Sequence, residues 1–304
     1  MQIKIIVTGF ITFLFLATSS CSHKQKPDKK YDVSVNTPAF KDLHPTVLFD
    51  EAHNNIHTTT GTYSPFVRLI SNDGFIVKAN SQPFSKTVLT GNNLLVISNA
   101  KGGKHNYKYN SAFTEGECVT VREWVKDGGS LLLIADHYPL GSAAENLSRQ
   151  FGVHMSNGET IDSIYYEGDG TFRDKLVFSL QNNLLEQNEI TKGLNKVVSD
   201  RGQSLTIPDS AIVLLRLSKY SYQTLPDSIW EKGSKTFTRF GEPVSAYGNC
   251  QGLAIRFGKG RVVILGEAAM ITAQVFEGEK FGMNTPGNDN KQFALNIMRW
   301  LAGK

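Results

Sequence analysis

Three short segments of this chain are almost entirely apolar, and they constrain the fold more than any other feature. They span residues 46–50, 93–98 and 130–136, and segments with one apolar face, at 63–71 and 115–127, separate them. A strand that is apolar on both faces has to be covered on both faces. The alternation of such strands with amphipathic helices therefore predicts an α/β fold with a doubly wound, mostly parallel sheet and helices on both of its faces.

The same pattern resumes near the C-terminus. Residues 252–265 predict two strands joined by a tight turn, and residues 290–301 predict a closing helix. Residues 157–248 are less regular and rich in Ser, Asn, Asp and Tyr, although 211–215 predicts one further strand. We therefore expect one α/β domain over residues 45–304 that carries an irregular insertion at about 157–248.

The N-terminus has the features of an export signal. Residues 1–20 contain one cation, Lys4, and an apolar run too short to cross a bilayer core of ~30 Å, which needs about 20 apolar residues. The small residues 18–20 lead into Cys21, and this arrangement resembles the lipobox of bacterial lipoproteins. We expect cleavage before Cys21 and acylation of that cysteine. The protein would then be lipid-anchored in the bacterial cell envelope, in the periplasm or at the outer membrane. An ordinary secreted protein is the alternative.

A polar stretch follows the cysteine. Residues 22–30 contain no apolar side chain that could pack, and so the sequence predicts a lipidated flexible tether over 21–44. The lysines in the tether could lie against anionic head groups or be simply solvated.

Composition excludes some classes of protein. The formal net charge is +4, and much of it falls in the tether, so no basic stripe indicates nucleic acid. Besides Cys21, only Cys118 and Cys250 remain, which is too few for a disulfide scaffold. We expect both to be buried thiols.

Ionisable side chains follow three of the predicted strands. In an open parallel sheet, ligands bind at the carboxyl ends of the strands, so these side chains are candidates for one shared site. The candidate catalytic residues are Asp50, Glu51, His53, Asp136, His137 and Glu267. The candidate substrate-binding residues are Asn54, Asn55, Tyr138 and Asn284. The alternative interpretation is that the aspartates only cap the helices that follow.

Two chemistries suit these residues. An imidazole oriented by a carboxylate can act as a general base. Alternatively, His53, His137 and Asp136 could bind a divalent metal such as zinc, although their spacing matches no known metal signature. No other cofactor is indicated. A serine nucleophile is disfavoured because no Gly-x-Ser-x-Gly segment is present.

Several segments resemble one superfamily, the class I glutamine-amidotransferase-like proteins. The segments that carry the resemblance are residues 47–53, 124–132, 258–267 and 296–301. The chain is more narrowly similar to a branch of unknown function that includes gliding-motility and intraflagellar-transport-type domains, and residues 190–194 are similar to trehalose-utilisation-type relatives. The resemblance implies a flavodoxin-like sheet.

The resemblance does not extend to glutamine hydrolysis. Amidotransferases place a nucleophilic cysteine after the strand equivalent to 130–135, where this chain has Asp136 and His137. Two functions therefore stay open. One is an envelope hydrolase acting on a small or carbohydrate-like substrate, and the other is a non-catalytic module that binds a glycan or an envelope protein.

Overall fold

A computed structural model describes residues 25–102, 111–168, 175–232 and 235–304. The predicted signal peptide and Cys21 lie outside these ranges. Within them, no helix is both long enough and apolar enough to cross a membrane.

Short strands dominate the described part of the chain. The strands are β1 (Lys26–Pro27), β2 (Thr46–Asp50), β3 (Ile76–Asn80), β4 (Leu94–Ser98), β5 (Ser130–Ile134), β6 (Glu159–Asp162), β7 (Tyr166–Glu167), β8 (Lys175–Ser179), β9 (Lys196–Ser199), β10 (Ile212–Arg216), β11 (Ser221–Thr224), β12 (Pro226–Lys232), β13 (Lys235–Phe240), β14 (Val244–Ser245), β15 (Cys250–Phe257), β16 (Gly260–Leu265), β17 (Ala273–Phe276) and β18 (Glu279–Gly282). The helices are α1 (Ser64–Asn72), α2 (Lys86–Leu89), α3 (Glu115–Lys126), α4 (Leu140–Arg149) and α5 (Asn290–Leu301), with a 3₁₀ turn at Ala269–Ile271.

Seven strands form the central sheet, in the order β10-β15-β16-β5-β4-β2-β3. β3, β2, β4, β5 and β16 run parallel, whereas β15 is antiparallel to both of its neighbours. The predicted α/β fold with a mostly parallel sheet is confirmed. The parallel strands end at one edge of the sheet, which is where the sequence predicts the site.

Both faces of the central sheet are buried. Leu132 and Ile134 of β5 belong to a core that includes α1 and α5, whereas Leu131 and Leu133 belong to a second core that includes α3 and α4. Strand side chains alternate between the two faces, so burial of both faces requires the uninterrupted apolar runs seen in the sequence.

Most predicted elements occur within one or two residues of the expected bounds. The closing helix spans residues 290–301 as predicted, and the predicted strand at 211–215 is β10. β10 forms an edge of the central sheet, although it lies within the region expected to be an insertion. The other strands of that region form two three-stranded sheets (β14-β11-β6 and β7-β8-β9) and a hairpin (β12-β13).

The expectation of a flexible tether over 21–44 is wrong for residues 25–44. β1 pairs with β17, with Lys26 opposite Val275, and the hydroxyl of Tyr31 donates to the carbonyl of Met283 at 3.0 Å. The prediction failed because it rested on residues 22–30, whereas the residues that follow supply apolar contacts. The side chains that pack against the core are Tyr31, Val33, Val35 and Phe40.

Both predicted thiols are free and buried. Burial raises the pKa of Cys118 and of Cys250 to about 12, so neither is a thiolate at neutral pH.

Candidate functional site

The first group of predicted residues forms a closed triad around His53. Nδ1 of His53 lies 2.9 Å from each carboxylate oxygen of Asp50, and Nε2 lies 3.0 Å from Oε1 of Glu117. Asp50 ends β2 and is completely buried, and His53 is 8% exposed. Both ring nitrogens of His53 are therefore occupied by carboxylates of the protein itself.

The position of Glu117 follows from the start of α3. Its Oε2 accepts from the backbone N–H and the hydroxyl of Thr114, and the Thr114 hydroxyl accepts in turn from the Glu117 N–H, which is a capping box. Oε1 also accepts from the N–H of Phe84 at 2.9 Å. The rings of Phe84 and Phe113 pack against the imidazole of His53, at 4.7 and 4.8 Å between centroids.

Electrostatics favour the protonated form of His53 in this triad. Burial lowers the pKa of His53, but hydrogen bonds and charge from Asp50 and Glu117 outweigh it, so the pKa is raised overall. The hydrogen bonds from His53 and from Thr114 lower the pKa of Glu117 against the opposing effect of burial. Because both ring nitrogens of His53 are engaged by carboxylates of the protein, neither is free to contact a substrate. We therefore interpret the triad as structural.

Three neighbours of the triad form hydrogen bonds within and around the loop that follows β2. Oε1 of Glu51 accepts from the N–H and the hydroxyl of Thr59, both at 2.7 Å. The amide of Asn54 donates to the carbonyl of Gly102, and that of Asn55 donates to the buried carboxylate at the end of β2, at 3.1 Å. These contacts order the chain after β2.

His57 joins this loop to the next strands. Its Nδ1 lies 2.6 Å from the hydroxyl of Thr62, and its Nε2 lies 3.0 Å from the side-chain amide of Asn99. Burial lowers the pKa of His57 to about 4, so it is neutral at physiological pH. The side-chain oxygen of Asn99 accepts from the N–H of Asp136 at 2.9 Å, which positions the chain directly after β5.

The second group consists of three carboxylates: Asp136, Asp200 and Glu267. Asp136 and Glu267 each lie two residues beyond a strand, β5 and β16, whose last residues Ile134 and Leu265 are paired. They are therefore neighbours at the carboxyl edge of the central sheet. Asp200 follows β9 of a smaller sheet.

A loop approaches this edge closely and brings Asp200 to it. The N–H of Gln203 donates to the carbonyl of Gly266 at 2.8 Å, and its side-chain amide donates to the carbonyls of Ala135 and Asp136 at 2.8 and 3.0 Å. Gly202 has a φ of +79°, and a Cβ there would lie 2.3 Å from the carbonyl oxygen of Gly266. The approach therefore requires glycine.

Backbone donors orient the carboxylates. Oε1 and Oε2 of Glu267 accept from the N–H groups of Ala269 and Met270 at 2.5 and 2.8 Å. Oδ1 of Asp136 accepts from the N–H of His137 at 2.8 Å. Glu267 is 1% exposed, and the Asp136 side chain is 19% exposed.

The pKa values of all three carboxyl groups are raised, chiefly by burial. Burial raises the pKa of Glu267 well above its ordinary value, and the charges of Asp136 and Asp200 raise it further. Burial also raises the pKa of Asp200 to about 7; the ammonium of Lys175 opposes this, and Asp136 adds to it. The pKa of Asp136 is raised by burial, which the charge of His137 opposes. Burial therefore favours the neutral form of each carboxyl group, and like charge adds to this effect at Asp200 and Glu267.

His137 lies at the open side of this group. Its side chain is 46% exposed, its Nε2 is 3.8 Å from Oδ1 of Asp136, and its Nδ1 is 3.1 Å from the carbonyl of Tyr138. The hydroxyl of Tyr138 is buried and has no hydrogen-bond partner among the described residues.

Asn284, predicted to bind substrate, contacts the N-terminal segment instead. Its amide donates to Oδ2 of Asp28 and to the carbonyl of Gln274, both at 3.0 Å.

The residues suggested as metal ligands are divided between the two groups. His53 belongs to the closed triad, whereas His137 and Asp136 belong to the carboxylate group. Among the residues that the structure describes, no group of three or more His, Cys, Asp or Glu side chains is arranged to hold a metal ion.

Sequence reasoning missed Glu117, Asp200 and Lys175. The signal for Glu117 was the capping pattern Thr114-x-x-Glu117. The signal for Asp200 was an acid directly after the short strand β9, similar to Asp50 at the end of β2. Asp200 and Lys175 fall within the region set aside as irregular.

Comparisons with known proteins bear on the fold. No protein-family model matches the chain, and no curated protein matches it significantly. The solved mmIFT52 N-terminal domain is similar with a TM-score of 0.60 and 15% identity, over 85% of this chain and 98% of that one. That likeness shows the fold alone.

Two further solved structures are similar at a lower level. A putative ThuA-like protein from Bacteroides uniformis has a TM-score of 0.46 and 13% identity, over 88% of this chain and 93% of its own. A putative GMP synthase component from Thermoplasma acidophilum has a TM-score of 0.44 and 11% identity, over 86% and 96%.

Proposed function

We propose that the protein is a hydrolase that uses Asp136, Asp200 and Glu267 for general acid–base catalysis. The observation that carries this proposal is that three carboxyl groups with raised pKa values lie together at one edge of the sheet, and that the pKa of Asp200, about 7, lets it both give and take a proton at neutral pH. Pairs of titratable groups whose environments separate their protonation states supply the acid and the base of many hydrolases.

The roles of the three carboxyls follow from their burial. Asp200, with a pKa of about 7, can donate a proton to a leaving group and take it back. Asp136, partly exposed and held by a backbone N–H, is the ionised partner, which either activates a water molecule or attacks the substrate directly as a nucleophile. Glu267 is buried, so it acts as a positioning residue that keeps the shared proton in the group. His137, a half-exposed side chain beside the three carboxyls, contacts the substrate.

A carbohydrate-like substrate suits this arrangement. Glycoside hydrolysis requires two carboxyl groups, one of which is protonated at the working pH. Neither a metal nor a nucleophilic thiol is needed for that reaction.

The test is a hydrolase screen with nitrophenyl glycosides and esters on a soluble form of the protein that starts at Ser22 and so lacks the acylated cysteine. We expect turnover by the wild type and a loss of about 10²–10⁴-fold in Asp200→Asn, the usual contribution of general acid–base catalysis. Asp209→Asn makes the same chemical change at an exposed position of the same region and should leave turnover unchanged. Equal rates in Asp200→Asn and the wild type would remove the carboxylates from the mechanism.

The fold and the location form a second part of the proposal. We assign the central sheet to a doubly wound, flavodoxin-like type of the glutamine-amidotransferase-like superfamily, supported by helices in both cores. We also assign lipid attachment to Cys21 and a place on an envelope membrane, supported by the lipobox-like sequence. Mass spectrometry of the N-terminal peptide tests this: an unmodified Cys21, or a retained signal peptide, would contradict it.

A non-catalytic glycan-binding role is the second candidate, and exposed aromatic side chains favour it. Tyr220 is 39% exposed beside Tyr165, with 6.1 Å between ring centroids, and Tyr247 is 67% exposed. Aromatic faces of this kind stack on sugar rings. Glycan binding that Tyr220→Ala abolishes, without any turnover in the screen, would favour this role over the hydrolase.

A further inference from the structure

The N-terminal segment fixes where the chain leaves the domain. The N–H of Asp28 donates to the carbonyl of Ala273 at 2.9 Å and extends the pairing of β1 with β17. Oδ2 of Asp28 accepts a hydrogen bond from the side-chain amide of Asn284, and the hydroxyl of Tyr31 donates one to the carbonyl of Met283. The chain is thus held at β1.

The distance from this point to the proposed lipid is short. Cys21 and Lys26 are five residues apart, and an extended chain spans at most ~3.5 Å per residue, so their separation is at most ~18 Å. A tether of 24 residues would have let the domain sample any orientation, whereas this length brings the edge around β1 to the head groups.

The exposed surface at this edge carries cations. Lys26, Val275 and Lys280 are paired in one row across β1, β17 and β18, and Lys26 and Lys280 are exposed. The exposed Lys29 and Lys30 follow directly. Asp28, Glu277 and Glu279 are also at this edge, so the four lysines exceed these carboxylates by one, and the nearby Asp32 is paired with Lys291 at 3.7 Å. Such a surface is attracted to an anionic lipid surface.

The same edge contacts the carboxylate group. The backbone of Gly282, the last residue of β18, lies near enough to the Asp200 carboxyl to lower its pKa, and the ammonium of Lys175, which also lowers it, lies 5.5 Å from the ring centroid of Phe281. β17 begins shortly after Glu267. β18 is therefore shared by the cationic edge and the proposed site.

We infer that the sheet β1–β17–β18 is the membrane-facing surface of the lipidated protein, and that the carboxylate group acts on a substrate held at an anionic bilayer surface. This inference rests on the proposed lipidation and the proposed site, and it names where the substrate is presented.

The experiment measures orientation and does not require a known substrate. The full lipidated chain is labelled with a fluorophore at Lys280→Cys, and quenching by head-group nitroxide lipid is measured in phosphatidylglycerol nanodiscs. The matched control is Lys259→Cys, an exposed lysine in the turn before β16, at the opposite end of that strand from Glu267. Labelling is selective because Cys118 and Cys250 are buried.

We expect quenching to be severalfold greater at position 280 than at 259. Insertion of a flexible linker of about 20 residues after Ser22, which spans roughly 25 Å, should make the two signals similar. Equal quenching at both positions in an acylated protein without the insertion would overturn the membrane-facing surface and leave the hydrolase proposal standing. Absence of the acyl group from Cys21 would overturn the anchor and the orientation together.

Discussion

Two groups of carboxylates lie near the carboxyl edge of the sheet, and they differ in how their charge is balanced. In the first, Asp50 and Glu117 enclose His53, and each charge has a partner of opposite sign within 3.0 Å. In the second, burial raises the pKa of Asp136, Asp200 and Glu267, the charge of Asp136 raises the pKa of the other two further, and Lys175 and His137 only partly oppose this. The carboxylates of the first group are paired with a histidine of the protein itself, whereas burial favours the neutral form of the carboxyls in the second group.

We propose that this difference separates structural from functional residues of the same types. Removal of one partner from a balanced buried group leaves an uncompensated charge and costs stability. Removal of a member from the like-charged group relieves repulsion and, under the proposed function, costs activity instead.

The largest expected effect is in the triad. His53→Ala leaves two buried carboxylates without their cation, so we expect the free energy of unfolding to fall by ~3–5 kcal/mol. His137→Ala removes a half-exposed side chain and should change it by less than ~0.5 kcal/mol. Urea denaturation at pH 7 measures both. Equal losses would mean that the two histidines play the same part.

A change of the opposite sign in the free energy of unfolding is expected in the carboxylate group. Asp200→Asn removes a charge that burial disfavours, and one pKa unit corresponds to about 1.4 kcal/mol. At pH 8 we expect the free energy of unfolding to rise by about 1–3 kcal/mol, while Asp209→Asn leaves it unchanged. A destabilised Asp200→Asn would contradict the assignment of repulsion to this group.

The pH dependence of stability gives a related test. The pKa of Asp200 is raised from 3.8 to about 7, so the folded state binds more protons than the unfolded state between these values. Its contribution to stability is therefore complete below pH 4 and is lost as the pH rises through 7. The difference between Asp200→Asn and the wild type should grow over that range. A constant difference would count against a raised pKa.

The smallest effect is expected at the capping box. Thr114→Ala removes the hydroxyl that both caps α3 and orients Glu117, so we expect a loss of about 1 kcal/mol. The Ser85 hydroxyl caps the short helix α2 by accepting from the N–H of Val88, outside the triad, so Ser85→Ala is the control. The Thr114 variant should also shift the titration of His53 measured by NMR, and the Ser85 variant should not.

Much of the fold could be predicted from the sequence, because a sheet that is buried on both faces requires long apolar runs. The runs at β2, β4, β5 and β16 are of this kind, and the parallel sheet followed from them. The packing of residues 25–44 was missed because only scattered apolar side chains, such as Tyr31 and Phe40, carry it.

The candidate site was predicted only in part. Asp136, His137 and Glu267 were found because each follows an apolar strand of the central sheet. The other members depend on contacts between distant parts of the chain: only the fold shows that Glu117 closes the triad and that Gly202 lets the loop after Asp200 approach Gly266. Residue type alone did not separate His53 from His137.

The most direct test of the account is a carboxyl ¹³C NMR titration of the protein, with the Asp200 signal assigned by its loss in Asp200→Asn. The account predicts a pKa of about 7 for this carboxyl group and a lower value in Asp136→Asn, where one source of repulsion is gone. An Asp200 that titrates near its ordinary value of 3.8, in both the wild type and Asp136→Asn, would contradict it.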